Sequence, residues 1–186
     1  MKWKKFSLIL GGAIFLASSA SAATYKPLPP LKRYNTKFYN CYWINNPKIK
    51  ALIKELHHYH VNTIIRPYGL RMEFPNYVLF DNLTDQFNPR AIYPIDTLSR
   101  LLHQLPSAKI YVIGYSDNVM AESLKKAYSF NRSQKLAGAL WTKGIPMKSQ
   151  SLSYRGLGSR YPVANNRYAN HMADNRHVEV AVKLPH

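Results

Sequence analysis

Lys109-Ile110-Tyr111-Val112-Ile113-Gly114-Tyr115, running directly into Ser116-Asp117, is the stretch whose reading decides the fold. Its apolar residues fall at odd and even positions alike, too many for a strand with one wet face, so it predicts a central strand. Downstream, Ser129–Lys143 carries Leu136, Ala137, Leu140 and Trp141 on one helical stripe. Ser129 can cap its start and Gly144 its end, with Pro146 beyond. Upstream, Ile92–Leu105 sets Ile95, Leu98, Leu101 and Leu102 at helical spacing, with Pro94 in the first turn. Before that, Val61–Arg66 and Leu70–Phe74 flank Pro67-Tyr68-Gly69 as a hairpin, and Tyr77–Phe80 reads as a short extended run. Pro47–His60 reads as a helix with Ile49, Leu52, Ile53 and Leu56 on one face. Ser151–Tyr154 and His177–Leu184 are the closing strands, on either side of an irregular Asn/Arg-rich loop. Strand, helix, strand, helix, strand, strand predicts an α/β (α+β) domain of two layers, one of sheet and one of helix.

A length of 186 residues suits one domain of ordinary size, and 46% hydrophobic residues exclude wholesale disorder. A single cysteine excludes an internal disulfide framework and a Cys-rich zinc site. Against 9 Asp+Glu stand 26 Lys+Arg, a formal charge of +17 that predicts an anionic partner.

The ends of the chain narrow that choice. Met1–Lys5 carries Lys2, Lys4 and Lys5, Phe6–Ala17 is almost wholly apolar, and Ala20-Ser21-Ala22 has an A-x-A arrangement. Residues 1–22 therefore read as a secretory signal, and cleavage before Ala23 lowers the formal charge from +17 to +14. Serine stands where a lipid-attachment box needs cysteine, so no lipid anchor is expected. Export makes nucleic acid a poor partner. Residues 23–47 contain Pro29-Pro30, then Tyr34, Phe38, Tyr39, Tyr42 and Trp43, with no regular period. They read as an extended tail, either a tether or a strip docking on envelope proteins, with Cys41 inside it. Residues 48–186 make up the domain. His57-His58-Tyr59-His60 lacks the i, i+4 spacing for two ligands on a helix face, so no metal or other cofactor is expected.

Asp117 emerges at the carboxyl end of the central strand, where open sheets place ligand crevices. Arg132 follows fifteen residues later, in the first turn of the expected helix, so the two side chains can converge on one cleft. An acid and a guanidinium facing one space suit a zwitterion: Asp117 accepts from an ammonium, and Arg132 forks onto a carboxylate. The helix N-terminus would add amide donors. The same spacing also suits a purely structural ion pair.

Phe80-Asp81, Gly114-Tyr115-Ser116-Asp117-Asn118, Ser129-x-x-Arg132, Gly156-Leu157-Gly158 and Asn175-Arg176-His177-Val178-Glu179-Val180 stand in the order found in OmpA-like domains. Over roughly residues 60–184 the chain resembles that family, which includes the periplasmic domain of outer-membrane protein A, the peptidoglycan-associated lipoprotein and the stator protein MotB. The resemblance implies a β/α/β/α/β-β fold and, as ligand, the meso-diaminopimelate of peptidoglycan stem peptides. Asp117 and Arg132 match the family's ligand-holding pair, Ser116 its hydroxyl beside the acid, and Arg176 the first Arg of its Asn-Arg-Arg. Asn118 and Asp81 fall in the same motifs and are expected at the site.

Met120, Lys125, Tyr128, His171-Met172 and His177 depart from the family's usual residues, so the central pair is kept while the rim is rewritten. No nucleophile elbow, Cys/His arrangement or paired-acid spacing is present, so no enzyme is expected. The expectation is peptidoglycan binding that anchors an envelope structure to the cell wall. It places the protein in the periplasm, peripheral to the outer membrane at most. The alternative is a structural subunit of an envelope-spanning secretion machine, for example of type IV, using the fold mainly for protein contacts.

Overall fold

The computed structural model describes residues 42–81, 84–145 and 151–185. The expected signal segment, Cys41 and residues 23–41 of the expected tail lie outside them. Helix α1 (Pro47–His58) starts on Asn46, whose side chain accepts from Lys48 N at 2.9 Å, and buries Ile49, Leu52, Ile53 and Leu56. It stops short of His60 because His60 turns left-handed (φ 61°) and Val61 N bonds back to Leu56 O. Strands β1 (Asn62–Arg66) and β2 (Gly69–Pro75) form the expected hairpin.

Asn76–Leu79 is a single helical turn, α2, and not the extended run the sequence suggests. The turn points Leu79 into the core and brings Phe80 round to stack on Phe87 with ring centres 5.1 Å apart. A strand would have sent these neighbours to opposite faces. Helix α3 (Ile92–His103), strand β3 (Lys109–Gly114), helix α4 (Glu122–Thr142), strand β4 (Leu152–Gly156), the short helix α5 (Ala169–Asn175) and strand β5 (His177–Lys183) complete the domain.

The five strands lie in the order β1-β2-β5-β3-β4, with only β3 and β4 parallel. The expected central strand β3 is interior, flanked by β5 and β4. The core holds Leu70, Met72 and Phe74 of β2, Val112 of β3, Val178 and Val180 of β5, Leu98 and Leu101 of α3, and Leu136 and Leu140 of α4. The alternate residues Arg71 and Glu179 face away from these and form a buried ion pair, with Arg71 Nε 2.9 Å from Glu179 Oε1.

Two boundaries differ from the sequence reading. Helix α4 begins at Glu122, two turns before Ser129. Its first turns are mostly exposed and show no apolar stripe, although Leu124, Lys125, Lys126 and Ala127 are good helix formers. Ser129 and Arg132 are thus mid-helix, and the amide donors of a helix N-terminus are not available beside Arg132. The expected C-terminal stop is present: Gly144 has φ 83° and Ile145 N bonds to Leu140 O. At the other end, Trp43 and Ile44 of the expected tail are buried in the core, and the Trp43 indole N–H donates to Pro67 O at 3.1 Å. They sit in one 3-10 turn, Tyr42–Asn45, too short to show a period.

Candidate ligand-binding site

Beyond β3 the chain stays pinned on both sides. Tyr115 N bonds to His177 O and Ser116 N to Gly158 O, each at 2.9 Å, which fixes the exit direction of Asp117. Asp117 is only 2% exposed. Its Oδ2 accepts from Arg176 Nη1 at 2.6 Å and its Oδ1 from Val119 N at 3.2 Å.

Arg132 reaches the same region because α4 presses onto the sheet through glycine. A Cβ at Gly114 would stand 1.9 Å from Ser129 O, and one at Gly156 would stand 2.3 Å from Phe130 N. Ser129 locks the contact, its hydroxyl donating to Lys126 O and accepting from Gly158 N. One helical turn later, Arg132 is 4% exposed. Its Nε and Nη2 donate to Thr84 O at 3.1 and 2.7 Å, and its guanidinium lies against the rings of Tyr128 (5.5 Å) and Phe80 (5.7 Å). Its third nitrogen, Nη1, is buried with no hydrogen-bond partner among the described residues.

Burial pulls the Arg132 guanidinium below its ordinary range. Asp85, Tyr128 and Asp117 oppose that shift, and Arg176 adds to it. The charges acting on Arg132 are thus Asp85, itself held by Lys135 at 3.0 Å, Arg176 and Asp117, so that with Lys135 three cations face two carboxylates. One positive charge is left over in a site sheltered from water, which suits a ligand bringing a carboxylate.

Of the residues expected at the site, Asp117, Arg132 and Arg176 come together. Ser116 is buried beside them, but its hydroxyl donates to Asp117 O at 3.2 Å. Asn118 is exposed at the rim. Asp81 follows Phe80, whose ring faces Arg132, and lines a groove of about 590 Å³ with Tyr59, Tyr77, Phe80 and Asn88. Its backbone closes the loop that carries Thr84, Asp81 N bonding to Gln86 O.

Three of the departures, Lys125, Tyr128 and His177, make defined contacts. Lys125 pairs with Glu122 at 2.9 Å. Tyr128 is one wall of the Arg132 cage. His177 stacks on Tyr115 at 4.6 Å, its Nδ1 bonded to Asp174 O and its Nε2 3.5 Å from Glu73 Oε1.

Sequence reasoning missed Thr84 and the clip at Asn175. The Asn175 side chain accepts from Val163 N and Ala164 N and donates to Ala164 O and Asn166 Oδ1, holding the β4–β5 loop next to Arg176. Its place in the Asn-Arg-His motif was the available signal; Thr84 offered none.

The sequence profile of the OmpA family matches residues 79–176. "Probable lipoprotein YiaD" of Escherichia coli (strain K12) is 30% identical over 111 residues, 60% of this chain and 50% of that protein. "Outer-membrane lipoprotein YfiB" of Pseudomonas aeruginosa is 28% identical over 118 residues, 63% of this chain and 69% of its own length. The chain thus spans half the length of YiaD. Among solved structures, the cell wall anchor of the T6SS from Pseudomonas aeruginosa superposes with a TM-score of 0.65 at 21% identity, covering 73% of this chain and 96% of that one. The periplasmic domain of Helicobacter pylori MotB gives 0.61 at 21% identity, covering 68% and 83%. At that identity the likeness is one of fold. The profile match takes in more than half of the residues, and the chain belongs to the OmpA family.

Proposed function

We propose that the protein is a periplasmic, non-enzymatic module that binds peptidoglycan non-covalently and fixes an envelope structure to the cell wall. The ligand is the zwitterionic side chain of meso-diaminopimelate in the stem peptide. The observation carrying this reading is the buried, unpartnered Nη1 of Arg132 in a cluster with one cation in excess. A ligand carboxylate would take Nη1 and offset the extra charge, while the ligand ammonium would share Asp117 with Arg176. Arg176 is the adjustable member, its side chain 35% exposed against 3% for Asp117. Ser116 and Asn118 stand close enough in sequence to Asp117 to serve the rim of the same site. The family membership, the cell wall anchor among the structural neighbours and the lipoprotein relatives support both the wall and the compartment.

The test is co-sedimentation of the exported protein with purified sacculi, with free meso-diaminopimelate as competitor. Binding that diaminopimelate displaces is expected. Binding that it leaves untouched would remove diaminopimelate as the ligand, and no binding would remove the wall.

A second reading, a structural subunit of an envelope-spanning secretion machine, is favoured by Phe130 and Trp141, large apolar side chains of α4 that stay exposed. In that reading α4, with the residues before Tyr42, meets envelope proteins. Machines of this kind also need fixing to the wall, so the two readings are compatible.

A further inference from the structure

Arg66, Lys183 and Lys109 form one row across the end of the sheet remote from Asp117. Pairing sets it: Arg66 lies opposite Gly69, Gly69 opposite Lys183, and Lys183 opposite Lys109. Directly paired residues share a face, so the three side chains leave the sheet together. All three are exposed, and none is in an ion pair with a described residue.

This row costs the fold stability. Residues directly opposite on neighbouring strands stand about 5 Å apart, and like charges there repel. No acid can be placed between Arg66 and Lys183, because a Cβ at Gly69 would lie 1.9 Å from Val182 O. Tyr68, 54% exposed, projects from the adjoining hairpin turn. The six residues of β3 put this row about 20 Å from the Asp117 end.

We infer that this row is a membrane-facing patch that binds anionic phospholipid headgroups, at the pole opposite the Asp117–Arg132 cluster. The groove lined by Asp81 includes none of the three cations. A shallow line of long cationic side chains suits a plane of many mobile charges better than one anion held in a pocket. An exposed tyrosine beside them sits well at headgroup level. The patch and the wall site would let one domain touch two envelope layers. The inference does not depend on the wall reading, and sacculus binding measured in parallel separates the two.

The experiment is co-sedimentation of the exported protein with vesicles of phosphatidylcholine containing one quarter phosphatidylglycerol, and with pure phosphatidylcholine, at physiological ionic strength. Net positive charge alone favours anionic vesicles, so the row variant R66E/K109E/K183E is compared with K48E/K50E/K54E. The latter makes the same change of charge on the exposed side of α1. The row variant is expected to lose about tenfold or more in binding, and the α1 variant no more than about threefold. R66Q/K109Q/K183Q, which relieves the repulsion with half the change of charge, is expected to melt no lower than wild type and to lose affinity in the same direction, by less than the reversal. Equal losses in the row and α1 variants, or wild type with no preference for anionic vesicles, would overturn the inference. Failure of wild type to bind vesicles at all would likewise overturn it, with an acidic protein surface as the next occupant to test.

Discussion

Arg176 Nη1 lies 2.6 Å from Asp117 Oδ2, and this bond joins the residue before β5 to the exit of β3, with the carboxylate buried and the guanidinium partly exposed. Arg132, another cation of the cluster, is held instead on the carbonyl of Thr84. Asp117 is thus paired with a partly exposed cation, while Arg132 keeps a buried nitrogen, Nη1, with no hydrogen-bond partner among the described residues.

Replacing Asp117 or Arg132 by Ala is expected to weaken sacculus binding by roughly 2–3 kcal/mol, from about thirtyfold to more than a hundredfold. Arg132→Lys should recover part of that, since the charge remains but the fork is lost. Arg132→Ala should also lower the melting temperature, because Thr84 loses its anchor. The separating measurement is the thermal shift with free diaminopimelate, which should stabilise wild type and neither Ala variant. Equal shifts in all three would make the cluster structural.

Gly114 and Gly138 should respond in opposite ways. Gly114→Ala drives a Cβ into the backbone of Ser129 and is expected to cost about 3 kcal/mol or more, with loss of ligand binding. Gly138, inside α4 about one turn before its end, would meet nothing within 4 Å with a Cβ added, so Gly138→Ala should stabilise by about 0.5–1 kcal/mol. Urea unfolding of both variants checks the pair.

Glu179→Ala leaves the Arg71 charge buried without its main partner and should cost about 3–5 kcal/mol by chemical denaturation. Replacing both by apolar residues of similar volume should recover most of the loss.

Lys135 holds the Asp85 carboxyl below its ordinary value near 3.8, chiefly by hydrogen bonding, against a smaller opposing effect of burial. The folded value is the depressed one. The associated stability is therefore complete above the ordinary value and disappears as pH falls through the folded value. Lys135→Met should thus be less stable than wild type at neutral pH, by under about 1 kcal/mol because the pair is partly exposed, with the gap closing below pH ~4. Melting curves at neutral and acid pH test this; a gap that widens in acid would contradict it.

Trp43→Ala should cost about 3 kcal/mol or more, since the indole is in the core and bonded to Pro67 O. Removing the chain up to Cys41 leaves Trp43 in place and should change the melting temperature far less.

The interior strand at Lys109–Gly114, the hairpin at Pro67-Tyr68, the core-facing stripes of α1 and α3 and the glycine stop of α4 were all legible in the sequence. Each is a local matter: periodicity and turn chemistry record which side of a single element is buried. Asp117 and Arg132 could be named because one ends a buried strand and the other lies on the next helix. Of their partners, Arg176 was expected only through the family resemblance, and Thr84 not at all. The Asp117–Arg176 bond spans 59 residues and the Arg132–Thr84 contact 48, separations at which the neighbour depends on how the sheet orders its strands and where the loops close. The exposed first turns of α4 and the single 3-10 turn around Trp43 carry no period, so only packing against the rest of the domain assigns them. The cation row at Arg66, Lys183 and Lys109 belongs to the same class, because nothing along the chain joins residues that only the register of four strands aligns.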